Sequence, residues 1–277
     1  MKLRTLLVAA LVVSLTSAAA AQFGRFGGGF GFRTRYPLRP PHKDTFRAGF
    51  NFCRGMYTSN RGEAGGQGWS TDYPDADLNF SIRLSELTRV RVTFDQEKRP
   101  EFVTVRLTED ALFQCPYLHM EDVGTMNLSG REVESLRAYL LKGGFLWVDD
   151  FWGSLAWEQW TSEIGRVLPP EQYPIRDIPR EHAIYKAQFE IKEFPQIPSI
   201  QSWRGNPYTT SERGQDSATP DFKAISDSHG RIMVLMTHNT DISDAWEREG
   251  EDPRYFYSFS PKGYAVGINA IVYAMSH

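Results

Sequence analysis

Cysteine is nearly absent: the 277 residues hold two, Cys53 and Cys115. Two cannot build a disulfide-dense scaffold or a multi-cysteine zinc site. Charge of one sign is lacking as well. Thirty-one Lys and Arg against 34 Asp and Glu leave a net −3, so no bulk attraction to nucleic acid is expected. Beyond residue 15 no apolar run approaches the roughly 20 residues of a membrane-crossing helix. The six histidines include no pair at metal-ligand spacing. The serine-nucleophile pattern Gly-x-Ser-x-Gly is missing too. Its nearest approach, Trp152-Gly153-Ser154-Leu155-Ala156, lacks the second glycine.

What is present begins with an export pattern. Lys2 and Arg4 precede a short apolar core from Leu6 to Leu15, and Ala19-Ala20-Ala21 supplies a small-residue cleavage site. Residues 1–21 read as a secretory signal peptide, which predicts a periplasmic or extracellular protein without a transmembrane span once the signal is removed. Residues 22–45, rich in Gly, Phe, Pro and Arg, read as a flexible linker. Residues 46–277 are expected to form a single α/β domain. In an oxidising compartment Cys53 and Cys115 have two readings, a bridge or two buried thiols.

Strand and helix patterns alternate along the domain. Extended segments are expected at Phe46–Tyr57, Val90–Phe94, Phe102–Leu107, Tyr117–Met120, Phe145–Val148 and Ile232–Met236. Helical spacing appears at Asp77–Leu87, from Ser129 to the Gly143-Gly144 pair, at Leu155–Val167 and at Tyr264–Met275. Asp75 or Asp77 can cap the first helix, and Ser129 with Glu132 makes a capping box on the second. Eight prolines between 168 and 227 predict loop and short strand there. The alternation predicts a mostly parallel sheet flanked by helices on both faces.

The most informative stretch is Gly143-Gly144-Phe145-Leu146-Trp147-Val148-Asp149-Asp150-Phe151-Trp152. Two carboxylates stand where a buried strand stops, and ligand crevices open outside the carboxyl ends of such strands. Asp149 and Asp150 are adjacent, so an unbroken strand would send them to opposite faces. Asp150 has a second reading as the cap of the following helix. Other polar residues end other strands: Arg54 and Tyr57 the first, His119 the Tyr117 strand, His238 and Asp241 the last. His182 and Trp246 complete the candidate set. Arg54 has two readings, as an anion holder or as the counter-ion of Asp149 or Asp150. A hard divalent metal is compatible with the acids. Trp69, Tyr73, Trp152, Trp203 and Trp246 suit either a sugar or buried anchoring.

An ordered set of motifs carries a resemblance. It comprises Phe52-Cys53-Arg54-Gly55-Met56-Tyr57, Trp69 with Asp72-Tyr73-Pro74 and Ala76-Asp77, and Phe113-x-x-Pro116-Tyr117-Leu118. It continues through Gly143-Gly144-Phe145 with Asp149-Asp150-Phe151, Glu181-His182-Ala183-Ile184-Tyr185, Gly230-Arg231, Asp241 to Trp246, and Gly267-x-Asn269 with Tyr273-Ala274. Over about residues 46 to 276 the chain resembles the bacterial exported family called domain of unknown function 4159. That resemblance implies a class I glutamine-amidotransferase-like fold, a flavodoxin-like three-layer sandwich. A weaker similarity to trehalose-utilisation-type proteins accompanies it. The same resemblance puts the first strand and the Tyr117 strand side by side and so brings Cys53 near Cys115. Amidotransferase chemistry needs a thiolate at the strand-to-helix elbow, and Asp149-Asp150-Phe151-Trp152-Gly153 holds none. The leading expectation is therefore a noncatalytic binding or interaction module of the cell envelope. Its partner would be an envelope protein, a glycan or a small molecule, with no nucleic acid. The alternatives are a metal- or acid-assisted hydrolase of a glycan or sugar derivative, and a structural partner of a membrane complex.

Overall fold

The apolar run after Gly144 forms a buried strand, β4 (Leu146–Phe151), in the middle of a seven-stranded sheet. The structure, a computed structural model, describes residues 38–47 and 49–277. The signal-peptide reading of 1–21 and most of the linker lie outside the described residues. The other strands are β1 (Phe52–Met56), β2 (Phe102–Arg106), β3 (Leu118–Glu121), β5 (Arg176–Asp177), β6 (Asp221–Ser226) and β7 (Ile232–His238). Their spatial order is β2-β1-β3-β4-β7-β6-β5. The first five run parallel; β6 and β5 are antiparallel additions. The expected mostly parallel α/β sheet is therefore present.

Six helices follow the described chain: α1 (Asp75–Leu87), α2 (Gly130–Leu141), α3 (Gly153–Val167), α4 (Ile200–Gly205), α5 (Asp244–Glu247) and α6 (Pro253–Ser276). Helices α1, α5 and α6 pack on one another, as do α2 and α3. The first group meets the sheet through Trp246, whose ring centroid lies 4.5 Å from Phe80 and 5.6 Å from Trp147. Gly267 of α6 allows this approach, because a Cβ there would stand 2.5 Å from Trp246. The second group meets Phe151 through Trp157 and Trp160.

Ser129 and Glu132 form the expected capping box on α2. Helix α1 differs: Pro74 occupies its N-cap with no side-chain cap, and Asp77 turns inward instead. The closing helix begins eleven residues before the expected Tyr264. Pro253 in its first turn and the Asp252 cap start it, and Pro261 inside it masked the earlier turns. The expected strand Val90–Phe94 is reduced to two isolated bridges, Phe50 to Val92 and Phe94 to Pro100. Phe94 there is exposed, so one face has nothing to pack against. Strand β6 was hidden by the surrounding prolines, since edge pairing to β7 decided it rather than local pattern. Residues 38–45, assigned to the linker by composition, include a contact to β2: Arg39 N donates to Thr104 Oγ1 at 3.1 Å, and Thr104 N to Arg39 O at 2.9 Å.

Cys53 and Cys115 are bonded, with Cα atoms 6.1 Å apart across 62 residues. Adjacency of β1 and β3 makes this reach short. Closing a loop of that length is worth about 4 kcal/mol by the chain-entropy estimate. No described helix is long and apolar enough to cross a membrane.

Candidate functional site

Parallel strands deliver their carboxyl ends to one edge, and there the polar residues collect. The backbone at that edge is unusual. Asp72, Asp122, Asp150 and Asn239 all adopt left-handed φ, between 48° and 59°. Short polar side chains tolerate that region better than others, but it still carries strain. At Asp150 the consequence is visible. Val148 pairs with Met236 and Phe151 with His238, so β4 has one residue more than β7 over this span. This bulge turns Phe151 toward α3 while Trp147 faces α5, and it lets both aspartates serve the same edge.

Behind the edge lies an enclosed network. Arg54, Asp77, His119, Glu121 and Asp149 are all fully buried. The Arg54 guanidinium donates to Asp77 and lies 3.2 Å from Glu121 Oε1. Its Nη1 also donates to Thr71 O at 3.3 Å. His119 Nε2 contacts Glu121 Oε1 and, at 3.1 Å, Ser243 Oγ; its Nδ1 meets Tyr117 OH at 2.7 Å. Asp149 contacts Thr237 Oγ1 at 2.5 Å and accepts Ser243 N at 3.0 Å. Thr237 Oγ1 already accepts Trp147 Nε1 and lies 3.0 Å from Val148 O. Its single proton cannot serve both Val148 O and Asp149. Asp149 as a neutral acid, donating to Thr237, resolves that count. Burial, and then the nearby Glu121 charge, push its pKa well above the usual carboxyl range, in the same direction.

In front stands a second set. Asp72 comes from the loop after a glycine-rich stretch at 62–68, Asp150 from the end of β4, and Asp241 from the turn after β7. One carboxylate oxygen of each lies within 4.8 Å of the others. Asp72 and Asp241 are buried and Asp150 is partly exposed. Trp152 Nε1 donates to Asp150 Oδ1 at 2.8 Å, and Asp244 N to Asp241 Oδ1 at 2.8 Å. Asp72 Oδ2 is buried with no hydrogen-bond partner. Desolvation comes first in raising all three pKa values, followed by neighbouring carboxylates: Glu247 and Asp244 on Asp72, Glu212 and Glu121 on Asp150, Asp150 and Asp72 on Asp241. Asp244 and Glu247 are pushed up to about 6 and about 7, mainly by burial, with Arg248 opposing the shift. Asp122, whose Oδ2 accepts Gly68 N at 2.8 Å, is pushed up to about 7, again mainly by burial.

Of the residues expected from sequence, Arg54, His119, Asp149, Asp150 and Asp241 meet at this edge. Tyr57 joins them as a strut, its hydroxyl donating to Asp122 O at 2.8 Å. Other expectations are corrected. His182 lies away from the site, capping a 3₁₀ turn by accepting Ile184 N and standing 5.2 Å from the Tyr273 ring, because its segment packs on α6. Trp246 is fully buried core, not a wall of a crevice. Arg54 pairs with Asp77 and Glu121 rather than with Asp149 or Asp150. Nor does Asp150 cap α3: Gly153 N donates to Asn239 Oδ1 and Ser154 N to Asp216 Oδ2. His238 ends β7 but turns aside, with Nδ1 2.9 Å from Asp221 Oδ2 and Nε2 3.1 Å from Gly153 O. Trp69, Tyr73 and Trp152 are buried, so they anchor loops.

Glu121, Asp122 and Glu247 were not anticipated. Asp122 carries the same signal as Asp150, an acid just past a buried strand. Asp72 stood in a motif without a role attached, and Asp77 only as a candidate helix cap.

The model of the family described as Domain of unknown function (DUF4159) matches residues 59–275. The chain belongs to this family. No curated protein matches the chain. The DUF4159 match runs from just after β1 through most of α6, including Asp72, Glu121, Asp150 and Asp241; Arg54 lies just before it.

Proposed function

We propose that this DUF4159 protein is an exported cell-envelope protein that binds a ligand at the carboxyl edge of its sheet and carries out no nucleophilic catalysis. The fold assignment that goes with this reading is amidotransferase-like, supported by the order β2-β1-β3-β4 of a doubly wound sheet. The disulfide is compatible with export. Both cysteines are consumed by that bond. Ser154 Oγ donates to Asp216 at 3.2 Å, while His238 directs Nε2 to the Gly153 carbonyl. Among the described hydrogen bonds no histidine accepts the serine proton.

The observation that carries the reading is the convergence of Asp72, Asp150 and Asp241 from three separate elements on a partly exposed position. Ionised carboxylates only accept hydrogen bonds. The matching ligand brings donors, as the hydroxyls of a glycan or the ammonium of an amino sugar do. A second reading, an acid-assisted hydrolase of such a glycan, is favoured by Asp122, a carboxyl held near pH 7 at the same edge.

Envelope glycans and amino sugars titrated calorimetrically into the protein test the proposal. A ligand whose Kd rises at least tenfold in Asp150→Asn is expected. Binding that ignores both Asp150→Asn and Asp241→Asn would place the ligand elsewhere and end the reading. Release of reducing sugar, abolished by Asp122→Asn, would move the conclusion to the hydrolase.

A further inference from the structure

We propose that Asp72, Asp150 and Asp241 hold a hard divalent cation of the Ca²⁺ or Mg²⁺ class. The inference rests on the reading of this edge as the binding site and names what occupies its deepest position.

Three groups of side chains at the edge have oxygens or nitrogens close enough to share an ion. The first, His119, Glu121 and Asp149, is fully buried. Arg54, Tyr117, Thr237 and Ser243 already contact it. Glu121 Oε2 is also buried without a hydrogen bond, but a guanidinium 3.2 Å from Glu121 Oε1 supplies the positive charge that an ion would bring. The second, Asp72, Asp244 and Glu247, is largely engaged as well. Asp244 Oδ2 accepts Ile200 N at 2.7 Å and Tyr255 OH at 2.9 Å, and Arg248 lies 2.6 Å from Glu247 Oε2.

The third group is Asp72, Asp150 and Asp241. Asp150 Oδ1 and Asp241 Oδ1 each accept one hydrogen bond, which orients the carboxylates. No described hydrogen bond engages Oδ2 of either. Asp72 is 7% exposed; its carboxyl shares a hydrogen bond with Glu247, and its Oδ2 has no donor. A buried carboxylate oxygen without a donor is costly, and three acids facing one another compound that cost. A cation removes both penalties at once. The donors are all oxygen, which suits Ca²⁺, Mg²⁺ or Mn²⁺ and disfavours metals that prefer thiolate or imidazole. Asp150 is partly exposed, so the ion would keep water on its open side, where ligand hydroxyls could replace it.

The test uses the metal alone. EDTA-stripped, dialysed protein is titrated with CaCl₂ and separately with MgCl₂ to about 5 mM, a range that covers weak extracellular calcium modules. Calorimetry should show saturable binding, and Tm should rise with metal. Asp150→Asn and Asp241→Asn should each weaken binding at least tenfold, and the metal-free variants should melt no lower than metal-free wild type. Both substitutions keep Oδ1 as an acceptor. Terbium luminescence should be sensitised by Trp152, whose indole bonds Asp150, and should fall in Trp152→Phe with affinity retained.

Absence of heat and of a Tm shift with either metal would overturn the proposal. So would metal binding lost in Asp149→Asn but intact in Asp150→Asn, which would put the ion in the inner group. Organic-ligand binding that depends on Asp150 but persists in EDTA would sink the cation and leave the binding site standing. Metal binding without any organic ligand would do the reverse.

Discussion

The two polar layers at the sheet edge are made of similar residues and have opposite bookkeeping. In the inner layer the charges are paired, Arg54 with Asp77 and Glu121, and the neutral Asp149 is held by Thr237 and Ser243. In the outer layer Asp72, Asp150 and Asp241 face chiefly other acids. Folding alone explains the first arrangement, because buried charges demand partners. It does not explain the second, since replacing any of those acids by a neutral residue would relieve repulsion. The difference separates residues that build the edge from residues that wait for something outside the chain.

The largest expected effect breaks the inner layer. Arg54→Met removes the guanidinium and leaves Asp77 and Glu121 buried without it. A loss of roughly 3–5 kcal/mol is expected, as for other buried pairs stripped of one partner. Urea denaturation followed by tryptophan fluorescence measures it. A loss below about 1 kcal/mol, the scale of a surface pair, would mean the inner network is not what holds β1 to α1.

Next in size is a pH effect that sharpens the contrast. An acid whose folded pKa is raised binds its proton more tightly when folded. Its contribution to stability is therefore largest at low pH and falls as pH rises through the window between the two values. For Asp122, Asp244 and Glu247 that window runs from the ordinary carboxyl value up to about 7, about 6 and about 7. Asp72, Asp150 and Asp241 shift in the same direction. In EDTA, Tm should therefore rise as pH is lowered from 8 to 5.5, and Asp241→Asn should flatten the slope. Glu121 and Asp221 work the other way: despite burial, their partners hold them below the usual range. Their contribution is lost only at lower pH. A Tm that falls steadily from pH 8 to 5.5 would show that paired acids dominate the whole edge.

Much of this architecture could be read from residues, and the limits have a physical cause. The central strand, the α2 capping box and the parallel sheet were legible because they are local: an apolar run, a Ser-x-x-Glu, an alternation of periods. So was the location of the edge, since topology puts strand ends together. Partner choice was not legible. Asp77 reads as a helix cap and acts as the counter-ion of Arg54, because the distance between β1 and α1 is tertiary. Trp246 and His182 were misplaced for the same reason. A loop aromatic and a loop imidazole look functional until the helix covering them is known. The bulge at Asp150 was likewise invisible, although the need for one was stated by two adjacent acids that had to serve one side.

The smallest expected effect tests the boundary of the site. Ser154 sits one residue after Gly153, beside His238, and could pass for a nucleophile with its base. The hydrogen bonds say otherwise. Its hydroxyl donates to Asp216 Oδ2 at 3.2 Å, its N–H donates to the same oxygen at 2.9 Å, and the His238 ring turns to Gly153 O. Ser154→Ala keeps the backbone bond and removes only an exposed one. A stability change within about 0.5 kcal/mol is expected, the usual range for a surface substitution. Metal and ligand affinities should match wild type. A drop of several orders of magnitude in any turnover, with folding preserved, would make the serine a nucleophile and the edge an active site of acyl transfer. Unchanged binding in Ser154→Ala beside lost binding in Asp150→Asn, four residues away, would draw the site's border between the strand end and the helix that follows it.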